Sequence, residues 1–501
     1  MKGHRIVLAI AVLLLVATQG WASGTAEDQA GAGERPVLRF LGGSIGVFGD
    51  PNEGATKAAL EEITGYRFEV TSLPTENAVQ ALNLQMASGE KYDLIRSVDY
   101  SQFLSFVENG AVLPLTDLID EHGPHIQDAV PGDIWDALRA DDGEVYAFPN
   151  TATPNLGMAM VARTDWLDEM GLDVPTTLDE FRDTLLAIKE ADPGNVGNRL
   201  IAYTGFDWWR WRHVAFQEPF LGAFGIAYEW VERDGEIVSR YETDEMLDYI
   251  RYMKGLYEDG LLDPDFAVLQ KNVVDEKVTS GRVAFALYHW DSMYKTREAW
   301  ASENLDWEVN YVPYPAGPDG TVQGTVASGI GVSTFIPSFA EHPADAVKYV
   351  NEFINPENYQ RLIIGEEGVH WQWVEERRVP IDPAFNDERG NMFWYEPIRV
   401  GEVYYPLWLT RVNKIQGMGI AYAQTEEVIG DVVEPNPIGN ATQLSVTSQS
   451  ASSLRQFAGD EVLKFILGAR DLEEYDAFLN RFMTEGGLAS KEEINAWYQS
   501  R

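Results

Sequence analysis

Apolar residues recur at spacings of three and four along TTLDEFRDTLLAIKEAD. Leu178, Phe181, Leu185 and Ile188 there line one face of a predicted helix. Thr177 precedes them as an N-cap, with Glu180 three positions on. This is a capping box, in which the hydroxyl serves a free backbone N–H and the carboxylate reaches back to the cap. TDEMLDYIRYMKGLYEDG repeats the period with Met246, Ile250, Met253 and Tyr257 and stops at Gly260; HPADAVKYVNEFI and EEYDAFLNRFMTEGG pass the same test. In YRFEVTSL a period of two takes over, Tyr66, Phe68 and Val70 alternating with Arg67, Glu69 and Thr71 as in a strand. VLRFLGG, from Val37, reads as a strand ending in glycines. GATKAALEEITG lies between the two as a helix halted at Gly65. Strand, helix, strand opens an α/β layer.

The first residues follow another logic. Lys2 and Arg5 precede an eleven-residue apolar run, Ile6 to Val16, and Gly20-Trp21-Ala22 offers small residues for cleavage. The run is short for spanning a bilayer, so residues 1–22 read as a removed signal peptide. Residues 23–36, rich in Gly and Ala, read as a flexible leader. The mature protein is expected to be exported and soluble.

A chain of 501 residues needs two or three core-forming units. With 79 acids against 38 bases the formal charge is −41, which argues against nucleic acid, since so acidic a chain cannot readily neutralise phosphates. It also disfavours acidic membrane surfaces. The absence of cysteine excludes disulfides, thiol nucleophiles, thiolate metal sites and a lipid-modified N-terminal cysteine.

Candidate chemistry is sparse. GGSIG, Gly42 to Gly46, matches the nucleophile-elbow pattern, but loop-like residues follow it. A glycine-rich turn at a strand end is the simpler reading, and still a place where α/β proteins bind ligands. His122 and His125 flank a Gly-Pro turn and do not make a metal site. The aromatics are more informative. FDWWRWRH, residues 206–213, puts Trp208, Trp209 and Trp211 around Arg210; YHWD carries Trp290 and Asp291; VHWQW carries Trp371; PLWLT carries Trp408. WWRW does not follow a helical stripe. Indoles beside charged groups suit sugars, whose C–H faces stack while their hydroxyls need polar partners. Any single Trp could equally be a core residue.

DGEVYAFPN (142–150), VARTDWLDEMGLDVPTTLDEFRDTLLAIKEADP (161–193), DGEIVSRYETDEMLDYIRYMKGLYEDGLLDPDF (234–266), SGRVAFALYHW (280–290) and NPENYQRLIIGEEGVHW (355–371) resemble the extracellular solute-binding proteins of ABC transporters, family 1, in the sugar and oligosaccharide branch. The resemblance runs from about residue 37 to the C-terminus. It implies an α/β, two-lobed, periplasmic-binding-protein-like type II fold with hinge-crossing strands. Lobe 1 is expected over 37–151 plus about 325–355. Lobe 2 is expected over 152–324 plus about 356–501, with C-terminal helices. YAFPN and WEVNYVPYP are the expected crossings. The implied function is a periplasmic or extracellular receptor that captures a saccharide between the lobes and delivers it to the permease subunits of an ABC importer. It is expected to be a monomer, without catalysis, cofactor or nucleic acid. Contacts are expected from Trp208, Trp209, Arg210, Trp211, Trp290, Asp291, Asp50, Arg96, Asp99, Trp371 and Trp408.

Two departures from the family pattern stand out. A calcium loop common in this branch is here DPGNVGNRLIAY; Asp192 remains, but Arg199-Leu200 or its neighbours stand where the family has its closing acidic pair, so no metal is expected. The lipid-accepting cysteine of many relatives is also missing, so no lipid anchor is expected. A secreted carbohydrate-active enzyme, or a binding protein for a cationic non-sugar ligand, are the alternative readings.

Overall fold

The computed structural model describes residues 35–500 except 43–49, 75–76, 97–99, 141, 209–212, 332–333, 440 and 442–443. Eight strands form its two main sheets: β1 (Val37–Gly42), β2 (Arg67–Ser72), β3 (Leu94–Arg96), β4 (Met158–Arg163), β5 (Ile201–Gly205), β6 (Val283–His289), β7 (Val309–Val312) and β8 (Thr334–Phe335). The first sheet has the order β2-β1-β3-β8. Its β1 is parallel to both neighbours and β8 antiparallel to β3. The second has the order β5-β6-β4-β7, with β5 parallel to β6 and β4 antiparallel to both of its neighbours.

Each sheet builds its own core. Leu38, Phe40, Phe68 and Val70 turn one face of the first sheet onto the helix Pro343–Ile354, while Leu41, Ile95 and Phe335 fill the opposite face. Burial on both faces is what an α/β layer demands. In the second sheet every residue of β4 and β6 is buried, beneath α2 (Leu178–Ala191) and α3 (Asp244–Glu258). The period-two strand at 66–70 and the helix α1 (Ala55–Thr64), closed by Gly65 at φ 70°, are where the pattern puts them.

Local details differ from the sequence reading. Thr177 Oγ1 caps α2 by accepting the Glu180 N–H at 3.2 Å, but Glu180 reaches one residue beyond the cap. It accepts from both the backbone N–H and the hydroxyl of Thr176, each at 2.8 Å. In α3, Met246, Ile250 and Met253 are buried, but Tyr257 is 41% exposed and Leu256 takes the inward position.

The larger corrections concern where the chain changes lobes. WEVNYVPYP does not cross: Val309–Val312 is the edge strand β7, paired with β4. The return runs instead through 327–331, after Thr325 has paired beside Glu434 and before β8 joins the first sheet. Residues expected in the second lobe, from Tyr359 through Phe385, Tyr395 and Tyr404 to Leu407, belong to the first core. The short amphipathic helix Pro356–Ile363 carries them there, by turning Tyr359, Leu362 and Ile363 inward. A third passage follows on α5 (Gly401–Val412), which puts Leu407 in the first core and Val412 in the second.

The three passages lie side by side. Thr151 N–H donates to Arg399 O at 2.9 Å, Arg399 N–H to Pro149 O at 2.9 Å, Ala152 N–H to Gly329 O at 2.8 Å and Gly331 N–H to Asn150 O at 2.8 Å. Gly401 starts α5 where a Cβ would collide with the Ala152 carbonyl, so the crossing tolerates no side chain there.

Candidate functional site

Beside this ribbon lies a cavity of about 560 Å³, walled by all three passages through Ala152, Thr153 and Asn155, Ala327, and Arg399. Two other cavities lack that position. One of about 350 Å³ lies between Arg378 and Glu426, and one of about 420 Å³ borders the loop 193–199. Of these three, the first is the one that touches all three passages, where closing lobes would enclose a solute.

Its apolar wall is an aromatic array. Trp290 opens the helix α4 (Trp290–Ser302) and is half-buried; its indole N–H donates to Leu156 O at 3.0 Å, which fixes the ring against the first passage. Trp408, on α5, meets Trp290 edge to face at a centroid distance of 6.0 Å, and Tyr422, on α6 (Gln416–Ile429), meets them at 5.6 Å and 4.9 Å. Tyr405 stacks on Trp408 at 5.8 Å with an interplanar angle of 15°. On the far side His289 lies 4.7 Å from Trp290 and 5.0 Å from Trp208, whose ring also carries the Lys271 ammonium at 5.4 Å. Such edge-to-face packing holds indole faces in fixed orientations.

The polar wall is varied. Thr153 and Asn155 bring a hydroxyl and an amide to the cavity. Asp291 lies within the first turn of α4. Burial pushes its carboxyl up, but His289 at 2.8 Å and the charges of Lys271 and Lys295 outweigh this and hold it at about 2. Arg399 forms an ion pair with the fully buried Glu396, whose charge outweighs desolvation and holds the guanidinium above its ordinary value. Arg96, at the end of β3, is lowered to about 10 by burial and then by the like charge of Arg399, with Glu396 opposing. Arg411 donates to the carbonyls of Ile363, Arg389 and Gly390 at 3.1, 2.9 and 2.7 Å, latching α5 to the first lobe. Lys414, just past α5, is lowered by burial and by Arg411 beside it.

The structure thus gathers Trp290, Asp291 and Trp408 on one cavity, links Trp208 to it through His289, and brings Arg96 near it through Arg399. Trp371 is elsewhere: 3% exposed in the first core, it donates its indole N–H to Gly365 O at 3.1 Å. Asp50 is exposed in the first lobe and accepts the Asn52 N–H at 2.9 Å in a local turn, away from the cavity wall. Trp209, Arg210, Trp211 and Asp99 lie outside the described residues, as does most of GGSIG. Sequence reasoning missed Thr153, Asn155, Arg399, Tyr404, Arg411 and Lys414. A usable signal existed in PLWLTRVNK, where two bases without an acid follow Trp408 in a very acidic chain.

Two lobes, three hydrogen-bonded passages and an aromatic cleft beside them define a two-lobed solute-binding protein. The chain belongs to the bacterial extracellular solute-binding protein family, whose model matches residues 49–360. It is 22% identical to lipoprotein LipO of Bacillus subtilis over 516 aligned residues, covering 100% of this chain and 99% of the other. It is 21% identical to the polygalacturonan/rhamnogalacturonan-binding protein YtcQ of the same organism, with 96% of both chains covered. The structure of the Streptococcus pneumoniae substrate-binding protein FusA in complex with kestose shares the fold, with a TM-score of 0.69 at 18% identity, over 93% of this chain and 99% of that one. No helix among the described residues is long and apolar enough to cross a membrane.

Proposed function

We propose that this protein is an exported, unanchored and monomeric receptor. It captures a saccharide between its lobes and hands it to the membrane permease of an ABC importer, with no chemistry on the solute. The observation that carries the reading is the indole pair Trp290 and Trp408 set beside Thr153, Asn155 and Asp291 on a cavity walled by all three inter-lobe passages. Indole faces suit the C–H faces of sugar rings, and the hydroxyl, amide and carboxylate suit their hydroxyls. The saccharide-binding relatives named above agree with it. Trp208, reached from Trp290 through His289, extends this stacking surface; Trp209, Arg210 and Trp211 are proposed as further contacts, and Arg96, beside Arg399, adds charge. Selectivity follows from the penalty for leaving buried polar groups unpaired against a wrong sugar.

Thermal shift and titration calorimetry over mono- and oligosaccharides test the proposal. A true ligand raises the melting temperature by mass action and binds stoichiometrically without turnover. Trp290→Ala, or Trp208→Ala with Trp209→Ala, weakens binding by about 2 kcal/mol or more, roughly 30-fold in Kd. If stabilisation by that ligand survives all three changes, the assignment of the site is wrong.

A further inference from the structure

We propose that the solute is an anionic oligosaccharide, its carboxylate or sulfate groups received at the basic end of α5. This rests on the reading that the cavity takes a saccharide and adds the class of saccharide. Acids outnumber bases in the chain by 79 to 38, yet on the charged wall of the cavity the ratio inverts. Arg399, Arg411 and Lys414 face Asp291 alone. A base at the C-terminal turn of a helix has a simpler use, since it complements the helix dipole, and that covers Arg411. It does not cover Arg399, which precedes the helix, nor the scarcity of acids on a wall of this molecule.

The bases differ in how far they are already committed. Glu396 answers Arg399, and Lys295 and Lys271 stand 3.6 and 3.9 Å from Asp291. Lys414 has no ion-pair partner among the described residues, and its nearest charged neighbour on the chain is Arg411, three positions back. Crowding by protein and by that like charge disfavours the ammonium, with Asp382 only partly opposing. An anion entering the cavity would relieve this, whereas a cation would add to it, so the same wall argues against a cationic solute. Trp408 and Arg411 sit at i and i+3 on one face of α5, so a sugar stacked on the indole would carry its charged substituent past Arg411, whose guanidinium is already committed to three carbonyls, towards Lys414.

The test is calorimetry on the full chain with three probe sets: oligouronates, sulfated oligosaccharides, and neutral maltooligosaccharides. At low salt the tightest acidic probe should bind about tenfold more tightly than any neutral one, the increment of one charge-assisted hydrogen bond. That advantage should shrink as salt shortens the screening length. Lys414→Gln, just beyond the helix end, should weaken acidic probes about tenfold and neutral ones less than twofold. Whether the uronate or the sulfated set wins distinguishes the two anion chemistries. Neutral probes that bind as tightly as acidic ones, with no effect of salt or of Lys414→Gln, would overturn the anionic assignment and leave the saccharide reading intact. If no saccharide of either kind binds, the saccharide reading itself is overturned.

Discussion

Asp291 carries its charge where burial alone would oppose it, because His289, Lys271 and Lys295 surround it. Its folded pKa of about 2 lies below the ordinary carboxylate value. The resulting stability is therefore fully present above about pH 4 and is lost as pH falls towards 2, an effect on the order of 2 kcal/mol. The gap in unfolding free energy between the native protein and Asp291→Asn should narrow across that window; a gap that stays constant there would contradict the assignment. At this scale the sequence spoke unevenly. Trp290 and Trp408 were legible because indoles flanked by polar residues are unusual wherever they occur. Trp371, in the same company within VHWQW, is a core residue. Composition around a tryptophan does not say whether its ring faces a cleft or a neighbouring helix, and only packing settles that. Lys414 and Arg411 were not legible one at a time, since a lone base on a helix end is ordinarily a solvated or dipole-complementing residue.

At the scale of elements, hydrophobic period was a sound guide to which segments are helix and strand, and a poor guide to partners. Nothing in the pattern of Pro356–Ile363 says which core its apolar edge will meet, so the run from Tyr359 to Leu407 was assigned to the wrong lobe. The edge strand β7 and a crossing strand look alike in sequence, both being short apolar runs near proline. The loop after α2 is different, because its chemistry is local. Asp192 adopts φ 47° and its carboxylate accepts the N–H groups of Val196 and Gly197, both at 2.8 Å, so the acidic side chain closes its own turn. Chelator or millimolar calcium should then move the melting temperature by no more than about 1 °C, whereas Asp192→Ala, which removes two solvent-accessible hydrogen bonds, should cost about 0.5–1.5 kcal/mol. A rise of several degrees with calcium would show that the loop still recruits the ion.

For the whole molecule the decisive feature is that three adjacent passages of the chain run between the lobes, which also meet through the helices Tyr100–Glu108 and Ser445–Ile466. The ribbon of Asn150–Ala152, Gly329–Gly331 and Arg399 is held by main-chain hydrogen bonds and borders the cavity directly. Small changes of dihedral angle there would move one lobe relative to the other, as in hinge closure. A solute that touches both walls binds the closed form better and shifts the population towards it. The net charge of −41 works the other way, since closure brings two acidic bodies together. Salt therefore has opposite effects on the two steps. It should ease closure of the empty protein by screening self-repulsion, and weaken capture of a charged solute by screening attraction. Small-angle scattering separates them. At fixed ionic strength the radius of gyration should fall when a saccharide identified by calorimetry saturates the protein, and in its absence it should fall modestly from low to high salt. A radius that ignores the solute at every salt concentration would mean that the lobes are already closed or do not move, and the three passages would then be rigid struts rather than a hinge.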